Sequence, residues 1–307
     1  MRNETRVGVG IPTFRRPEEL SQLLPAVVAQ CASVLASGLA GTCTIVVVDN
    51  EPNDTNRNLV LATRTGQVEV KYVPEERRGL ATARNRLLRQ AAGQIDLLAC
   101  LDDDEMPGEG WLSALLKAQS MHSADVVAGP VVPERILSHA DPSLQLRPHH
   151  PAGQYRGHVG AGNVLLRTAF FSDRGLEFDH RFSESGGEDT HFFWRSSRLG
   201  AKIVWAPSAE VSERVPDSRL RVRWLASRAF ANAATYTLIE REMVGSAVSV
   251  PRVAGRCALG AVKSLQILLG IVPSGRRRAT AGLVNAAWAC GRAYGLVGRG
   301  APRYGHE

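Results

Sequence analysis

Two short apolar runs that end in carboxylates constrain the fold of this chain more than any other feature. Thr44-Ile45-Val46-Val47-Val48 leads into Asp49-Asn50, and Leu97-Leu98-Ala99-Cys100-Leu101 leads into Asp102-Asp103-Asp104. A continuous rather than alternating apolar run of this length reads as a strand buried on both faces, which is the habit of parallel sheets covered by helices. Open sheets of that kind bind ligands beyond the carboxyl ends of their strands. Acids at the ends of both runs therefore predict a polar site along one sheet edge. Hard divalent cations favour oxygen ligands and are often held by one or two carboxylates plus substrate phosphates. The triplet alone is equally compatible with a solvated acidic turn.

The rest of the first two thirds repeats the alternation. Arg6-Val7-Gly8-Val9-Gly10-Ile11 reads as a strand, and Pro17-Glu18-Glu19-Leu20 opens a helix with proline and acids in its first turn. Val68 to Val73 is a third strand, Leu80 to Ala92 a helix, and Ile95 to Leu101 the strand that carries the triplet. Further strands are expected at Asp125–Val132, Val159–Arg167 and Lys202–Trp205, with a long loop, a candidate active-site lid, over Ser138–Tyr155. Alternation of this kind predicts an α/β fold with a largely parallel central sheet flanked by helices.

Charge divides the chain where the alternation stops. Residues 217–307 hold 14 Lys and Arg against 4 Asp and Glu, a net +10, whereas the first 216 residues carry −3. This basic, Arg- and Ala-rich part reads as helical. Val253–Val272 is its most apolar stretch, but Arg256 and Lys263 disfavour a membrane span, at about 2.5–3.5 kcal/mol per charge at the bilayer centre. Leu259, Val262, Leu265 and Leu269 near helical spacing, with Arg252, Arg256, Lys263 and Arg276-Arg277-Arg278, fit either an interfacial amphipathic helix or one packed on the main domain. No nucleic-acid motif accompanies the charge, so an anionic membrane surface is preferred over nucleic acid as partner. Five widely spaced cysteines without a C-x-x-C pair read as buried thiols in a reducing compartment. Met1–Arg6 shows no signal-peptide pattern, which predicts a cytoplasmic catalytic part, peripheral on the inner face of the membrane.

Six motifs in order resemble the family 2 glycosyltransferases, inverting enzymes of GT-A fold. They are Ile11-Pro12-Thr13-Phe14-Arg15-Arg16-Pro17, Val48-Asp49-Asn50-Glu51, Arg78-Gly79-Leu80-Ala81-Thr82-Ala83-Arg84-Asn85, the triplet with Pro107-Gly108-Glu109-Gly110-Trp111, Gly160-Ala161-Gly162-Asn163, and Gly186-Gly187-Glu188-Asp189-Thr190-His191. Within the family the likeness runs to succinoglycan-type glucosyltransferases. The resemblance implies a GT-A catalytic domain over residues 1–216, with a nucleotide-binding half at about 1–107 and an acceptor half at about 108–216, followed by a basic helical extension over 217–307. It further implies a nucleoside-diphosphate sugar donor, UDP-linked in the nearest relatives, and a glycan or lipid-linked glycan acceptor.

Roles carry over residue by residue. Pro12, Thr13, Phe14, Arg15, Asp49, Arg84, Asp102 and Asp103 fall at nucleotide-binding positions. Asp104 and Asp102 fall where the family holds Mg2+ or Mn2+. Asp189 matches the base that takes the acceptor proton, with Glu188 beside it. Many family members add a histidine ligand after the last strand, where this chain has Ala209-Glu210-Val211-Ser212-Glu213, leaving Glu213 as a substitute oxygen ligand or an ordinary loop residue. Arg195, His158 and His191 are further polar residues near these motifs. Two other readings remain open: a nucleotidyltransferase, although the first turn lacks its Gly-rich spacing, and a non-catalytic basic protein of membrane surfaces or nucleic acid. No G-x-G-x-x-G follows the first strand, which disfavours a dinucleotide fold.

Overall fold

The computed structural model describes residues 4–51, 53–134, 152–154, 159–183, 185–268 and 276–298. Nearly all of the loop expected over Ser138–Tyr155, and His158 with it, lies outside those residues. The described chain divides into two compact units. The first holds the chain to Val132, the piece between 152 and His180, and Phe192–Glu213; the second holds Arg181–His191 and the chain from Arg214.

The first unit is built on a mixed sheet. Its strands are β1 (Arg6–Thr13), β2 (Thr42–Asp49), β3 (Glu69–Pro74), β4 (Leu97–Leu101), β6 (Val126–Ala128), β8 (Gly153–Gln154), β9 (Asn163–Arg167) and β10 (Ile203–Trp205). Their order is β3-β2-β1-β4-β9-β6-β10-β8. Strands β1 to β4 run parallel, as the buried apolar runs require, while β9 lies antiparallel between β4 and β6. A second sheet joins β5 (Glu105–Pro107), β11 (Val211–Glu213) and β7 (Val131–Pro133) in the order β5-β11-β7.

Helices cover both faces of the large sheet. One core layer packs Val9, Ile11, Ile45 and Val47 against α1 (Pro17–Ala36) and α4 (Trp111–His122). The other packs Val46, Val48, Leu98 and Cys100 against α3 (Leu80–Ala91) and Phe170, Phe171, Phe178, Phe192 and Phe193. Alternate residues of one strand thus feed opposite layers, which is why these runs tolerate no polar position. α1 is the one described helix long and apolar enough to cross a membrane, yet Leu20, Leu23, Leu24, Val27, Cys31 and Val34 place its apolar face in this core.

Two strands expected to be longer are interrupted. Asp125–Val132 breaks at Gly129-Pro130 into β6 and β7, one in each sheet. A Cβ on Gly129 would stand 2.2 Å from the Ala209 carbonyl, and Pro130 has no N–H for a ladder. Val159–Arg167 becomes a strand only from Asn163. The cysteines also divide: Cys31, Cys43 and Cys100 are buried as expected, whereas Cys257 is half-buried and Cys290 exposed.

The second unit is helical, with α7 (Val222–Val244), α8 (Ser246–Leu268) and α9 (Arg276–Leu296). Small residues bring α7 and α9 together: a Cβ on Gly291 would meet the Phe230 carbonyl at 2.2 Å, and one on Gly295 the Ala234 carbonyl at 2.4 Å. Beside this crossing, buried Arg292 pairs with buried Glu240 and stacks on Tyr236, 4.9 Å from the ring centre. A buried charge is tolerated when so paired.

Candidate active site

The carboxyl edge of the large sheet gathers Thr13, Asp49 and the acidic triplet. Thr13 ends β1 in register with Asp49 at the end of β2, and the triplet leaves β4 on the other side of β1. Pro12 lies past the last β1–β4 pair, at Gly10 and Cys100, where its missing N–H interrupts no bond to β4.

The triplet is ordered by arginines and one threonine. Arg84, buried on α3, directs Nη2 to both oxygens of Asp102, at 3.0 and 3.2 Å. Arg16 bridges the other two acids, with Nη1 at 2.7 Å from Asp103 Oδ1 and 2.9 Å from Asp104 Oδ2. Thr13 Oγ1 donates to Asp103 Oδ2 at 2.9 Å. The three carboxylates are therefore unequal. Asp103 is the buried one, and burial pushes its carboxyl up to about 6 against the pull of Arg16 and Thr13, with its two acidic neighbours adding to the rise. Burial opposes the charge on Arg16, but Asp103 and Asp104 outweigh it and raise its pKa above the ordinary guanidinium value. Asp102 and Asp104 keep 30% and 19% of their side chains exposed, enough to reach a ligand.

Space for the triplet depends on Gly162, where a Cβ would stand 2.6 Å from Glu105 Oε1 and 2.9 Å from Asp102 Oδ2. Glu105 is itself buried, and its Oε2 accepts the Asp102 N–H at 3.3 Å. Glu213 lies opposite Glu105 in the β5–β11 pair.

Asp49 is fully buried. Its Oδ1 accepts the Glu51 N–H at 3.1 Å, and its Oδ2 accepts Asn56 Nδ2 at 3.1 Å and the Tyr72 hydroxyl at 3.0 Å. It thus organises the turn after β2. Desolvation and its contacts with Asp54 and Asp49 raise the Tyr72 phenol, which stays a donor. Next to Asp49, Asn50 donates to the carbonyls of Glu75 and Arg77 and accepts the Gly79 N–H, each at 2.8 Å, tying the β2 turn to the start of α3. Arg15 adopts a left-handed φ of 56° and pairs with buried Glu51. Arg15 and Arg78 lie 4.9 and 4.8 Å from the centre of the Phe14 ring, giving this corner a basic rim.

In the second unit, Glu188 and Asp189 form the first turn of α6 (Glu188–Arg198), where the helix dipole favours negative charge. Gly186 and Gly187 precede them with φ of 70° and 92°. Glu188 is buried and Asp189 half-buried, with Asp189 Oδ1 accepting the Thr190 N–H at 2.6 Å. His191 is buried in the same turn, and Arg195 lies further along the helix, its Nη1 donating to the Glu177 carbonyl at 3.3 Å.

No three His, Cys, Asp or Glu side chains among the described residues are arranged to hold a metal by themselves. The expected trio Asp102, Asp104 and Glu213 is not such a cage. Two partly exposed carboxylates on one turn nevertheless fit a hard cation that takes its remaining oxygens from a substrate diphosphate and water. Arg16, the bridge between Asp103 and Asp104, was not expected from sequence. The signal was there in Arg15-Arg16 after the first strand, but spacing does not say which arginine faces the acids.

Comparison with known proteins follows the same lines. Residues 8–172 match the family described as Glycosyl transferase family 2. The chain is similar to the succinoglycan biosynthesis protein ExoM of Rhizobium meliloti (strain 1021), 32% identical over 247 residues, covering 77% of this chain and 76% of that one. Its fold matches S. aureus TarS 1–349 in complex with UDP-GlcNAc, with a TM-score of 0.54 at 14% identity over 94% of this chain and 91% of that one. It also matches GalNAc-T7 with UDP, GalNAc and Mn2+, with a TM-score of 0.50 at 18% identity over 70% of this chain and 45% of that one. The architecture is a GT-A-type fold.

Proposed function

The chain belongs to glycosyl transferase family 2, and from that membership we propose an inverting hexosyl transfer from a UDP-sugar to a glycan or lipid-linked glycan acceptor in polysaccharide assembly. The observation that carries this reading is the convergence on one sheet edge of Thr13, the Asp49 turn and an acidic triplet held open by Arg16 and Arg84. The UDP and UDP-GlcNAc complexes of fold relatives support the donor class, and the polysaccharide role of the similar ExoM supports the acceptor class.

In this reading Pro12, Thr13, Phe14 and Arg15 line the nucleotide corner, with the Phe14 ring and its guanidinium neighbours beside the base and phosphates. Asp49 acts through the turn it organises. Arg84 fixes Asp102 toward the ribose side. Asp104, with Asp102, holds Mg2+ or Mn2+, and Glu213 is a secondary candidate beside Glu105. When bound, the metal supplies positive charge to the diphosphate as the sugar departs. Asp103, buried between Thr13 and Arg16, sets the spacing of its neighbours. The acceptor hydroxyl attacks the anomeric carbon and gives its proton to Asp189, while Glu188 orients the acceptor. The bond to the diphosphate breaks with its electron pair on the leaving oxygen, and one displacement inverts the anomeric centre.

The helical part supplies the link to a membrane-borne acceptor. On α8, Leu259, Val262 and Leu265 are 66%, 53% and 55% exposed, and Arg252 and Arg256 are exposed on the same helix. Apolar side chains flanked by arginines suit a peripheral site on an anionic cytoplasmic leaflet.

A panel of UDP-, GDP- and dTDP-sugars, assayed for nucleotide release with Mn2+ or Mg2+ on a glycan acceptor, tests the assignment. UDP release lost in Asp104→Ala and Asp189→Asn is the expected result. Wild-type release in both variants sinks it, and pyrophosphate release instead of UDP identifies a nucleotidyltransferase.

A further inference from the structure

α7 packs against the turn that presents Glu188 and Asp189. A Cβ on Gly187 would lie 2.6 Å from Thr235 Cγ2 and 3.3 Å from Ile239 Cδ1, so the α7 surface fills the space that a larger residue would need. Thr235 Oγ1 donates to the Ser185 carbonyl at 3.4 Å. One turn beyond Ile239, Glu242 takes bonds from both sides of the glycine pair. Arg181 Nη2 donates to its two carboxylate oxygens at 3.1 and 3.0 Å, and His191 Nε2 stands 3.1 Å from Oε1. A carboxylate only accepts, so His191 carries its proton on Nε2. The His191 ring is 99% buried and rests 4.9 Å from the Phe182 ring, while the His191 N–H closes the first helical bond back to the Gly187 carbonyl.

We propose that α7 is the brace of the acceptor-side base, and that Glu242 is its positioning residue. The proposal rests on the reading of Asp189 as that base. Gly186 and Gly187 both sit at positive φ, where a glycine pair has wide backbone freedom. Left to itself, such a turn gives the following carboxylates no fixed direction. Glu242 clamps Arg181 before the turn and His191 after it, which leaves Glu188 and Asp189 as the first turn of a helix whose start cannot swing. On this account the helical extension contributes to the transfer step itself, independently of anything its other surfaces bind.

Loss of a positioning group acts on turnover. A displacement on the order of 1 Å at a reacting group costs up to roughly 100-fold, so Glu242→Ala is expected to lower kcat roughly 10- to 100-fold, with the donor KM and UDP affinity within about twofold of wild type. Glu242 is 41% exposed, so the variant is expected to fold, and Glu242→Gln, which keeps an acceptor oxygen of the same reach, recovers part of the loss. The decisive measurement is a cycle with Asp189→Glu, whose base already stands one methylene out of place: there Glu242→Ala adds less than half of its logarithmic effect. Equal fractional losses in both backgrounds, an altered donor KM with unchanged kcat, or wild-type turnover overturn the proposal. Failure of the underlying reading is separate, because it appears as wild-type turnover in Asp189→Asn whatever Glu242 does.

Discussion

Asn163 offers the sharpest test of how the site edge is held. It is buried, and all three of its strong side-chain contacts are made. Its Oδ1 accepts Trp111 Nε1 at 2.8 Å, and its Nδ2 donates to the carbonyls of Pro130 at 2.9 Å and Ala209 at 2.8 Å. One side chain thus ties the start of α4, the break between β6 and β7, and the segment before β11 to the first residue of β9. That residue pairs with Leu101, immediately before the triplet. Asn163→Ala leaves Trp111 Nε1 and the Ala209 carbonyl unpaired at about 1–2 kcal/mol each, while the Pro130 carbonyl keeps the Val211 N–H at 3.0 Å; the expected loss is about 3 kcal/mol, or about 9 °C in Tm for a unit of this size. Asn163→Asp keeps the Trp111 contact but sets a carboxylate against two carbonyl oxygens. Burial and those oxygens raise its pKa in the folded state, so the protein is most stable below that pKa, where the acid form donates one bond, and weakens as pH rises through it. Urea unfolding followed by circular dichroism at pH 5 and pH 8, with amide exchange across β4 and β9, reads both effects. If Asn163→Ala unfolds within about 1 kcal/mol of wild type, or Asn163→Asp shows no extra loss at pH 8, the knot does not hold this edge.

Gly162→Ala forces a methyl against Glu105 and Asp102 and is expected to cut nucleotide release roughly 10- to 100-fold with little change in melting temperature; unchanged kinetics would mean that the carboxylates have room to spare. Arg84→Met removes the buried partner of Asp102 and is expected to weaken UDP binding in calorimetry, more at low than at high ionic strength. Gly291→Ala places a methyl 2.2 Å from the Phe230 carbonyl and should loosen α9 from α7, seen as faster amide exchange in both helices. Hydrogen bonds from Arg6 hold the Asp96 carboxyl below the ordinary carboxylate range; the small stability it contributes is present at neutral pH and lost as pH falls through that lowered value, so the deficit of Asp96→Asn should vanish in acid.

Much of the sheet was legible because its strands are buried on both faces. Val46 and Val47 feed opposite core layers, and such a run leaves little but a central parallel strand to choose from. The short strands after α4 were less legible. Gly129-Pro130 ends one strand and starts another through contacts with Ala209 and Asn163, which lie far away in sequence. Local propensity contains no record of such partners.

The site shows the same division between what a strand end fixes and what distant partners decide. That the triplet leaves the carboxyl edge of β4 follows from the apolar run before it. The different surroundings of its three members do not, since identical side chains acquire them from Arg84 on α3, from Thr13 at the end of β1 and from Arg16 just before α1. Asp49 makes the point from the other direction. Its place at the end of an apolar strand marks it for a ligand, yet Asn56 and Tyr72 occupy its carboxylate from within the fold. A strand end fixes where a carboxylate is delivered, but the donors that reach it first decide whether it faces substrate. By that criterion we propose Asp102 and Asp104, paired yet still partly exposed, as the acids left to meet a diphosphate, and Asp103 and Asp49 as the acids that keep the edge in shape.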